Sequence, residues 1–350
     1  MRKALLKVVA VAVVASALVA VPYPSVAANP EFSETADTMW MTNGVGRVLS
    51  IDTGGNTTIV GGTFTGMRET YNGSAVPQRY VAALDLWTGE LRSDFAPVLN
   101  DVVRAVALSP DAKTVYIGGK FTEVNGQTRT KIAALDVATG AVKAGFDVDV
   151  ANYNVDSLAV TSTGDVFMGG SFNVVNDRSQ RALAKVDGRT GELLDFDANI
   201  ATGKVKSLLL TTDESRLYVG TSIDEDGEAR YGNLYAVDPA TGSPIPGFDA
   251  STIVDPVLDI DATDDKIYVA MGGGGGEAQI LRTSDGSRRR RFSTDGDVQA
   301  VAVIGDRAYF GGHWVERFGT ADSFRFTSVD VATDEVDDSY YPRVNGTGGI

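Results

Sequence analysis

The chain repeats one sequence unit six times, and this repetition constrains its fold more than any other feature. The segment VYIGGKFTEVNGQTRTKIAALDVATG at 115–140 returns as VFMGGSFNVVNDRSQRALAKVDGRTG at 166–191. A period of about 40–50 residues is typical of repeat architectures such as propellers. The landmark of each unit, an aromatic or aliphatic residue at the centre of a strand pattern, occurs at Ile59, Tyr116, Phe167, Tyr218, Tyr268 and Tyr309.

Each unit contains four short segments with the pattern of β-strands. In the second unit they span 103–109, 114–121, 131–137 and 141–150, where apolar and polar residues alternate and β-branched residues are frequent. No ten-residue segment after residue 28 shows the apolar periodicity of an amphipathic helix. One four-stranded unit cannot bury both of its faces, so neighbouring units must cover them. We therefore expect an all-β fold, a β-propeller of six four-stranded blades, with a truncated seven-bladed propeller as the alternative.

A pair of glycines inside a strand pattern, followed two residues later by an aromatic residue, marks the middle of most units. Glycine weakens a strand interior, so it usually indicates a bulge or the close approach of another backbone. We interpret these glycines as structural, and we expect the aromatic side chains to pack between adjacent blades. The residues are Gly61, Gly62 and Phe64, then Gly118, Gly119 and Phe121, then Gly169, Gly170 and Phe172.

A second motif repeats in phase with the first and reads LD-x-x-TG or a close variant. Its aspartate carboxylate can accept backbone N–H groups in a turn, and its glycine adopts the positive φ that closes a hairpin. We interpret the aspartates as structural rather than catalytic. They are Asp85, Asp136, Asp187, Asp238 and Asp330.

The order of these motifs resembles the delta-60 repeat family. GG-x-F is followed by N-G or N-D, then by a strand ending in LD-x-x-TG, and then by Phe-Asp; the resemblance covers about residues 40–350. The fourth and fifth copies depart from the pattern, with GTSI at 220–223 and MGGGGG at 271–276. The resemblance implies an exported bacterial β-propeller protein, and it transfers no catalytic residue to this chain.

The N-terminal segment has the pattern of a secretory signal peptide. Basic residues at 2, 3 and 7 precede an apolar run that ends in SVAA, which predicts cleavage after Ala27 or Ala28 and a secreted or cell-surface protein. The run is short for a membrane span, so we expect no stable membrane insertion after cleavage. The predicted organisation is a signal peptide (1–28), a lead-in (29–44), the propeller (45–341) and a tail (342–350) that closes the ring or begins an incomplete further repeat.

Composition narrows the chemistry. Without the three basic residues of the leader, the chain has 28 basic and 46 acidic residues, a net charge of −18. Nucleic acid is therefore not an expected partner, because binding to it depends on Lys and Arg. The chain has no Cys and a single histidine, His313. It cannot form disulfides, thiolate metal sites or multi-histidine metal sites, and no catalytic residue is assigned.

Two sets of polar residues on innermost strands are candidates for ligand binding. Asp259 and Asp261 in VLDIDAT are candidate ligands for calcium, which prefers oxygen donors, and calcium is the one cofactor that the sequence suggests. Arg104, Asp156 and Lys206 each fall near the start of an innermost strand, so they could line the mouth of a central channel.

The arginine run SRRRRF at 287–292 is a basic island in an acidic chain. It aligns with the outer strand of the other units. Alternate side chains of a strand point to opposite faces, so we expect some of these arginines to form salt bridges with a neighbouring blade.

These features favour an exported binding or structural module that is monomeric and recognises an unidentified extracellular protein or carbohydrate. One alternative is a calcium-dependent or quinoprotein-like propeller enzyme. The other is one propeller domain of a larger secreted polypeptide. Fold alone distinguishes none of these.

Overall fold

The computed structural model describes residues 40–43, 46–69, 73–200, 203–225 and 228–337, with the backbone alone described at 224–225 and 228–231. The predicted signal peptide, the tail 342–350, most of the lead-in and residue 45 lie outside the described residues. The described residues form an all-β structure with no helix.

Twenty-nine strands are present in the described part of the chain. In order they are β1 (Met41–Thr42), β2 (Val48–Gly54), β3 (Thr57–Gly62), β4 (Met67–Arg68), β5 (Val81–Asp85), β6 (Val103–Leu108), β7 (Thr114–Gly119), β8 (Glu123–Val124), β9 (Gln127–Thr128), β10 (Ile132–Asp136), β11 (Val150–Ala151), β12 (Val155–Val160), β13 (Val166–Gly170), β14 (Val174–Val175), β15 (Arg178–Ser179), β16 (Leu183–Val186), β17 (Lys204–Leu210), β18 (Leu217–Glu225), β19 (Glu228–Tyr231), β20 (Leu234–Val237), β21 (Val257–Ala262), β22 (Lys266–Met271), β23 (Glu277–Arg282), β24 (Arg288–Ser293), β25 (Val298–Ile304), β26 (Arg307–Gly312), β27 (Arg317–Phe318), β28 (Ala321–Asp322) and β29 (Phe326–Asp330).

Six antiparallel sheets follow one another along the chain, one for each sequence unit. In every sheet the second strand lies in the middle, between the first strand, here called the inner strand, and the third. Sheets I to VI consist of β2-β3-β5, β6-β7-β10, β12-β13-β16, β17-β18-β20, β21-β22-β23 and β25-β26-β29. Strand β19 also pairs with β18, and β24 adds a fourth strand to sheet V.

The fourth strand predicted for each unit differs from what the structure shows. Among the described residues, only sheet V has a continuous outer strand, β24, at the arginine run. In sheets I, II, III, IV and VI the outer segment pairs with the third strand through a single bridge, for example Leu135 with Val142 in sheet II. The prediction of four strands is therefore wrong for most of the units.

A buried aromatic side chain follows the short outer segment. In sheet II the chain turns after residue 143, and Phe146 lies 1% exposed with its ring centroid 5.3 Å from that of Tyr116. Phe196 and Phe248 make equivalent contacts in the next two units. The equivalent residue of sheet V, Phe292, is also buried, although it lies within the continuous outer strand β24.

Consecutive sheets pack against each other through their inner strands. β2 contacts β6, β6 contacts β12, β12 contacts β17, β17 contacts β21, and β21 contacts β25. The apolar core is accordingly divided into layers between neighbouring sheets: one cluster joins sheets I and II, and others join each following pair. The central strands β7, β13 and β22 are buried along nearly their whole length, because a neighbouring sheet covers each face.

The glycine pair lies at the point of closest approach between sheets. A Cβ atom on Gly61 would lie 2.6 Å from Cγ1 of Val103 in the next inner strand, and a Cβ on Gly118 would lie 2.6 Å from Cγ1 of Val155. The second glycine of each pair lies against a backbone carbonyl of its own sheet, as Gly119 does against Val102. A side chain at either position would separate the strands.

The aromatic residue after the glycine pair is buried, and in the second and third units it lies between sheets. Phe64, Phe121 and Phe172 are each 0% exposed. Phe121 belongs to the apolar cluster shared by sheets I and II, and Phe172 to the cluster shared by sheets II and III. Trp314 takes this position in the sixth unit and is likewise fully buried.

Ion pairs add to the apolar contact between sheets V and VI. Asp334, with φ of 61°, stands where the turns of other units have glycine. Its carboxylate accepts Nζ of Lys266 at 2.5 Å and the guanidinium of Arg289 at 2.9 Å. Arg290 reaches Glu335 in the same turn at 2.7 Å. Two successive arginines of the run therefore pair with the neighbouring sheet.

We expect Gly118→Ala to lower the free energy of unfolding by about 1–3 kcal/mol, the usual cost of overpacking a core. The added methyl group would clash with Val155, which is fully buried. Urea denaturation measures the change. Gly274→Ala is the matched control, because no atom lies within 4 Å of the position that its new Cβ would take. Equal stability of the two variants would contradict the role given to the glycine pair.

Candidate functional site

Every inner strand carries a β-bulge at the same register. The bulge lies opposite the glycine pair or its equivalent, and it leaves one extra residue in each inner strand. A bulge redirects a side chain away from the regular alternation of a strand. The six extra residues, here called the bulge row, are Leu49, Arg104, Asp156, Lys206, Leu258 and Gln299.

The bulge row differs from its neighbours in exposure and in chemistry. Each of its residues is partly exposed, whereas the residues immediately before and after it in the inner strand are buried. The residue before the bulge is Val in all six units, 0–3% exposed. The bulge position itself holds leucine, arginine, aspartate, lysine or glutamine. The scaffold is thus uniform around a position whose side chain changes from unit to unit.

The structure brings together Arg104, Asp156 and Lys206, from three consecutive inner strands. The guanidinium of Arg104 lies 3.0 Å from Oδ1 of Asp156, and Nζ of Lys206 lies 3.8 Å from Oδ2. The Asp156 side chain is 4% exposed, while the side chains of Arg104 and Lys206 are 30% and 26% exposed. Two partly exposed cations therefore cover one buried carboxylate.

This group has a net charge of +1 and unused hydrogen-bond donors. Oδ1 of Asp156 and Nε of Arg104 make no hydrogen bond, so the 3.0 Å contact is an ion pair without hydrogen-bond geometry. The Lys206 contact is longer than a hydrogen bond. Arginine has five N–H donors and lysine three. The arrangement can therefore attract and bind an anion from the solvent side.

Asp259 and Asp261 lie on the inner strand of sheet V, where they contact the inner strand of sheet VI. Oδ2 of Asp259 accepts the backbone N–H of Val301 at 3.0 Å, and Oδ2 of Asp261 accepts that of Val303. An inner strand is a sheet edge, whose N–H groups lack a strand partner. These carboxylates supply the missing acceptors.

Asp52 makes the same contact between sheets I and II, although it is not among the site residues predicted from the sequence. Its Oδ2 accepts the N–H of Leu108 at 2.7 Å, and the nearby Ser50 hydroxyl accepts that of Val106 at 3.0 Å. A sequence signal exists, because VLSIDT at 48–53 places Asp52 at the register of Asp261 in VLDIDAT.

Burial raises the pKa values of all three carboxyl groups. Desolvation raises the pKa of Asp52 to about 7 and that of Asp261 to about 6, although backbone N–H donors oppose the shift in each case. Desolvation also raises the pKa of Asp259 well above its usual range, with the charge of Asp261 contributing. These groups are protonated far more readily in the folded chain than in the unfolded one.

A calcium site at Asp259 and Asp261 stays a prediction. Both carboxylates are engaged by backbone donors of sheet VI. Within the ranges that the structure describes, no group of three or more His, Asp or Glu side chains is placed to hold a metal ion.

The turn aspartates occupy equivalent positions in the hairpins that follow the third strands. Oδ1 of Asp136 accepts the N–H groups of Ala138 and Thr139, both at 3.1 Å, and these bonds are repeated at the other four. Hydrogen bonds from backbone N–H groups are the largest cause of the lowered pKa values of Asp85, Asp187, Asp238 and Asp330. In sheet V, Arg282 takes the aspartate's place.

His313 is 43% exposed and lies 3.7 Å from a carboxylate oxygen of Asp297. His313 and Asp297 are far in sequence from the three charged residues of the bulge row, and we assign no nucleophile to this pair.

No helix in the described residues is long and apolar enough to cross a membrane.

Comparison with known proteins supports the fold class and names no function. No family model and no curated protein matches the chain. A crystal structure of the computationally designed Ika8 protein is similar, with a TM-score of 0.51 and 15% identity over 83% of this chain and 73% of that one. A chain of the nidogen–laminin complex has a TM-score of 0.46 and 14% identity over 75% and 90% of the two chains. The likeness to the designed protein supports a propeller-like fold, and at 15% identity it concerns the fold alone.

We expect the stability of the protein to fall as the pH rises from 5 to 8, through the raised pKa values of Asp52 and Asp261. A carboxyl group whose folded pKa exceeds its unfolded value stabilises the fold below that unfolded value and loses the contribution as pH passes the folded pKa. Asp52→Asn removes one such group, so the unfolding free energy of this variant should depend less on pH across this window than that of the wild type.

Urea denaturation at several pH values between 5 and 8 measures how the unfolding free energy depends on pH in the wild type and in Asp52→Asn. Asp85→Asn is the control, because the lowered pKa of Asp85 places its titration below the window. If the curves of wild type and Asp52→Asn run parallel, the buried carboxyl group of Asp52 does not titrate as described.

Proposed function

We propose that this protein is an exported, six-bladed β-propeller that acts as a binding module, with the bulge row as its ligand-binding position. The single observation that carries the proposal is the contrast within the inner strands. A valine precedes the bulge in every unit, while the bulge residue itself changes from unit to unit and stays partly exposed. A residue packed between sheets must fit a fixed space, so the same residue returns in every unit. A partly exposed position without that restriction can differ from unit to unit and can be specialised for a ligand.

The packing of the sheets supports a propeller. Each inner strand contacts the next one along the chain, and central strands of the middle sheets, such as β7 and β22, are covered on both faces by neighbouring sheets. In a propeller, inner strands surround a central channel, and the bulge row would then line one of its mouths. The signal-peptide pattern at 1–28 supports export, and the net charge of −18 is suited to a monomeric, soluble extracellular protein.

Binding can be tested with glycan and peptide arrays probed with the purified protein, which we expect to recognise at least one class of extracellular ligand. Leu258→Ser alters the bulge row and should abolish that signal. Val254→Ser is the matched control, because Val254 is an exposed aliphatic residue four positions earlier in the same chain segment and outside the row. A ligand that binds both variants equally, or a substrate that the protein turns over, would contradict the proposal.

A further inference from the structure

We propose that Arg104 and Lys206 form a subsite for the carboxylate group of a ligand whose remaining part is aliphatic. This inference rests on the proposed function and deepens it by naming the class of ligand. The two cations lie on either side of Asp156, at 3.0 and 3.8 Å from its two carboxylate oxygens. The side chains of Arg104 and Lys206 are 30% and 26% exposed, and the buried Nε of Arg104 makes no hydrogen bond in the described part of the chain.

The geometry favours an anion over a cation. The side chain of Asp156 is 4% exposed, so a ligand approaching from solvent meets the guanidinium and ammonium groups that cover it. Arginine can hold a carboxylate through two parallel N–H bonds, and lysine adds a third donor as a compact charge.

The charge balance favours a carboxylate over a phosphate. Two cations and one buried carboxylate leave a net charge of +1, which a monoanion neutralises. A phosphate dianion would leave an excess negative charge directly above Asp156. Like charges at such short range are unfavourable even when partly solvated.

The neighbouring bulge residues indicate what the carboxylate is attached to. Leu49 precedes Arg104 in the row and Leu258 follows Lys206, one inner strand away on each side. Both leucines are partly exposed. The charged group is therefore flanked by aliphatic side chains at the same register, which suits a carboxylic acid with a hydrocarbon body.

The test is calorimetric titration of the full protein with acetate, butanoate and hexanoate, with hexanol and inorganic phosphate as comparison ligands. We expect affinity to rise with chain length, by up to about fourfold for each methylene group buried. Hexanol should bind at least tenfold more weakly than hexanoate. Tighter binding of phosphate than of acetate would overturn the assignment to a carboxylate, and equal binding of hexanol would overturn the role of the cations.

Variants test the two cations separately from the scaffold. Arg104→Gln and Lys206→Gln should each weaken hexanoate binding at least tenfold, whereas Asp156→Asn should strengthen it because it removes the competing anion. Lys143→Gln is the matched control: Lys143 is 37% exposed and pairs with Asp136 at 3.5 Å in a turn away from the row. Thermal melting of each variant shows whether it is folded.

The outcomes also separate this inference from the proposed function. Unchanged hexanoate binding by folded Arg104→Gln and Lys206→Gln, or no binding of any carboxylate by wild type, overturns the subsite. If the array signal is nevertheless lost in Leu258→Ser, the bulge row still binds a ligand and only its carboxylate class is wrong.

Discussion

The contact between a valine of one inner strand and a glycine of the preceding sheet determines how the rest of this structure is arranged. Val103 fits against Gly61, Val155 against Gly118, and Val205 against Gly169 at the following junction. Because no side chain separates the strands there, consecutive inner strands come into direct contact. That proximity places the bulge residues of neighbouring sheets within ion-pair distance of each other, as in Arg104 and Asp156.

Close packing of inner strands buries backbone N–H groups that need acceptors, and aspartate carboxylates accept some of them at two of the junctions between sheets. The inner strand is a sheet edge, and its N–H groups face the previous sheet without a strand partner. Asp52 supplies an acceptor between sheets I and II, and Asp259 and Asp261 do so between sheets V and VI. Sheet II has alanines at the corresponding positions. Carboxylates satisfy the donors at the cost of desolvation, which is why their pKa values are raised.

The sequence predicts the all-β class, the six units and the places where turns occur, because these depend on local periodicity and turn chemistry. It overestimates the outer strands, since the alternating pattern at 141–150 does not show that pairing with the third strand is limited to the single bridge between Leu135 and Val142. Proximity of Arg104, Asp156 and Lys206 could be suspected because they share a register in successive units. The bulge itself was not predictable, because it depends on pairing between strands, although the valine that precedes each bulge residue gives its register in the sequence.

A repeat architecture concentrates function where its packing constraints are weakest. The valine before the bulge and the glycine opposite it contact neighbouring strands, so their identity is restricted by space. The bulge takes its extra residue out of the regular in-and-out alternation of side chains along the strand. The side chain at this position can therefore differ between units without disturbing the contact between sheets. In this acidic chain, two cations lie on either side of a buried carboxylate at this position, and their ion pairs with it link three consecutive sheets. Because both cations stay partly exposed, the same arrangement that compensates Asp156 also leaves the surface at which we propose that an anion binds.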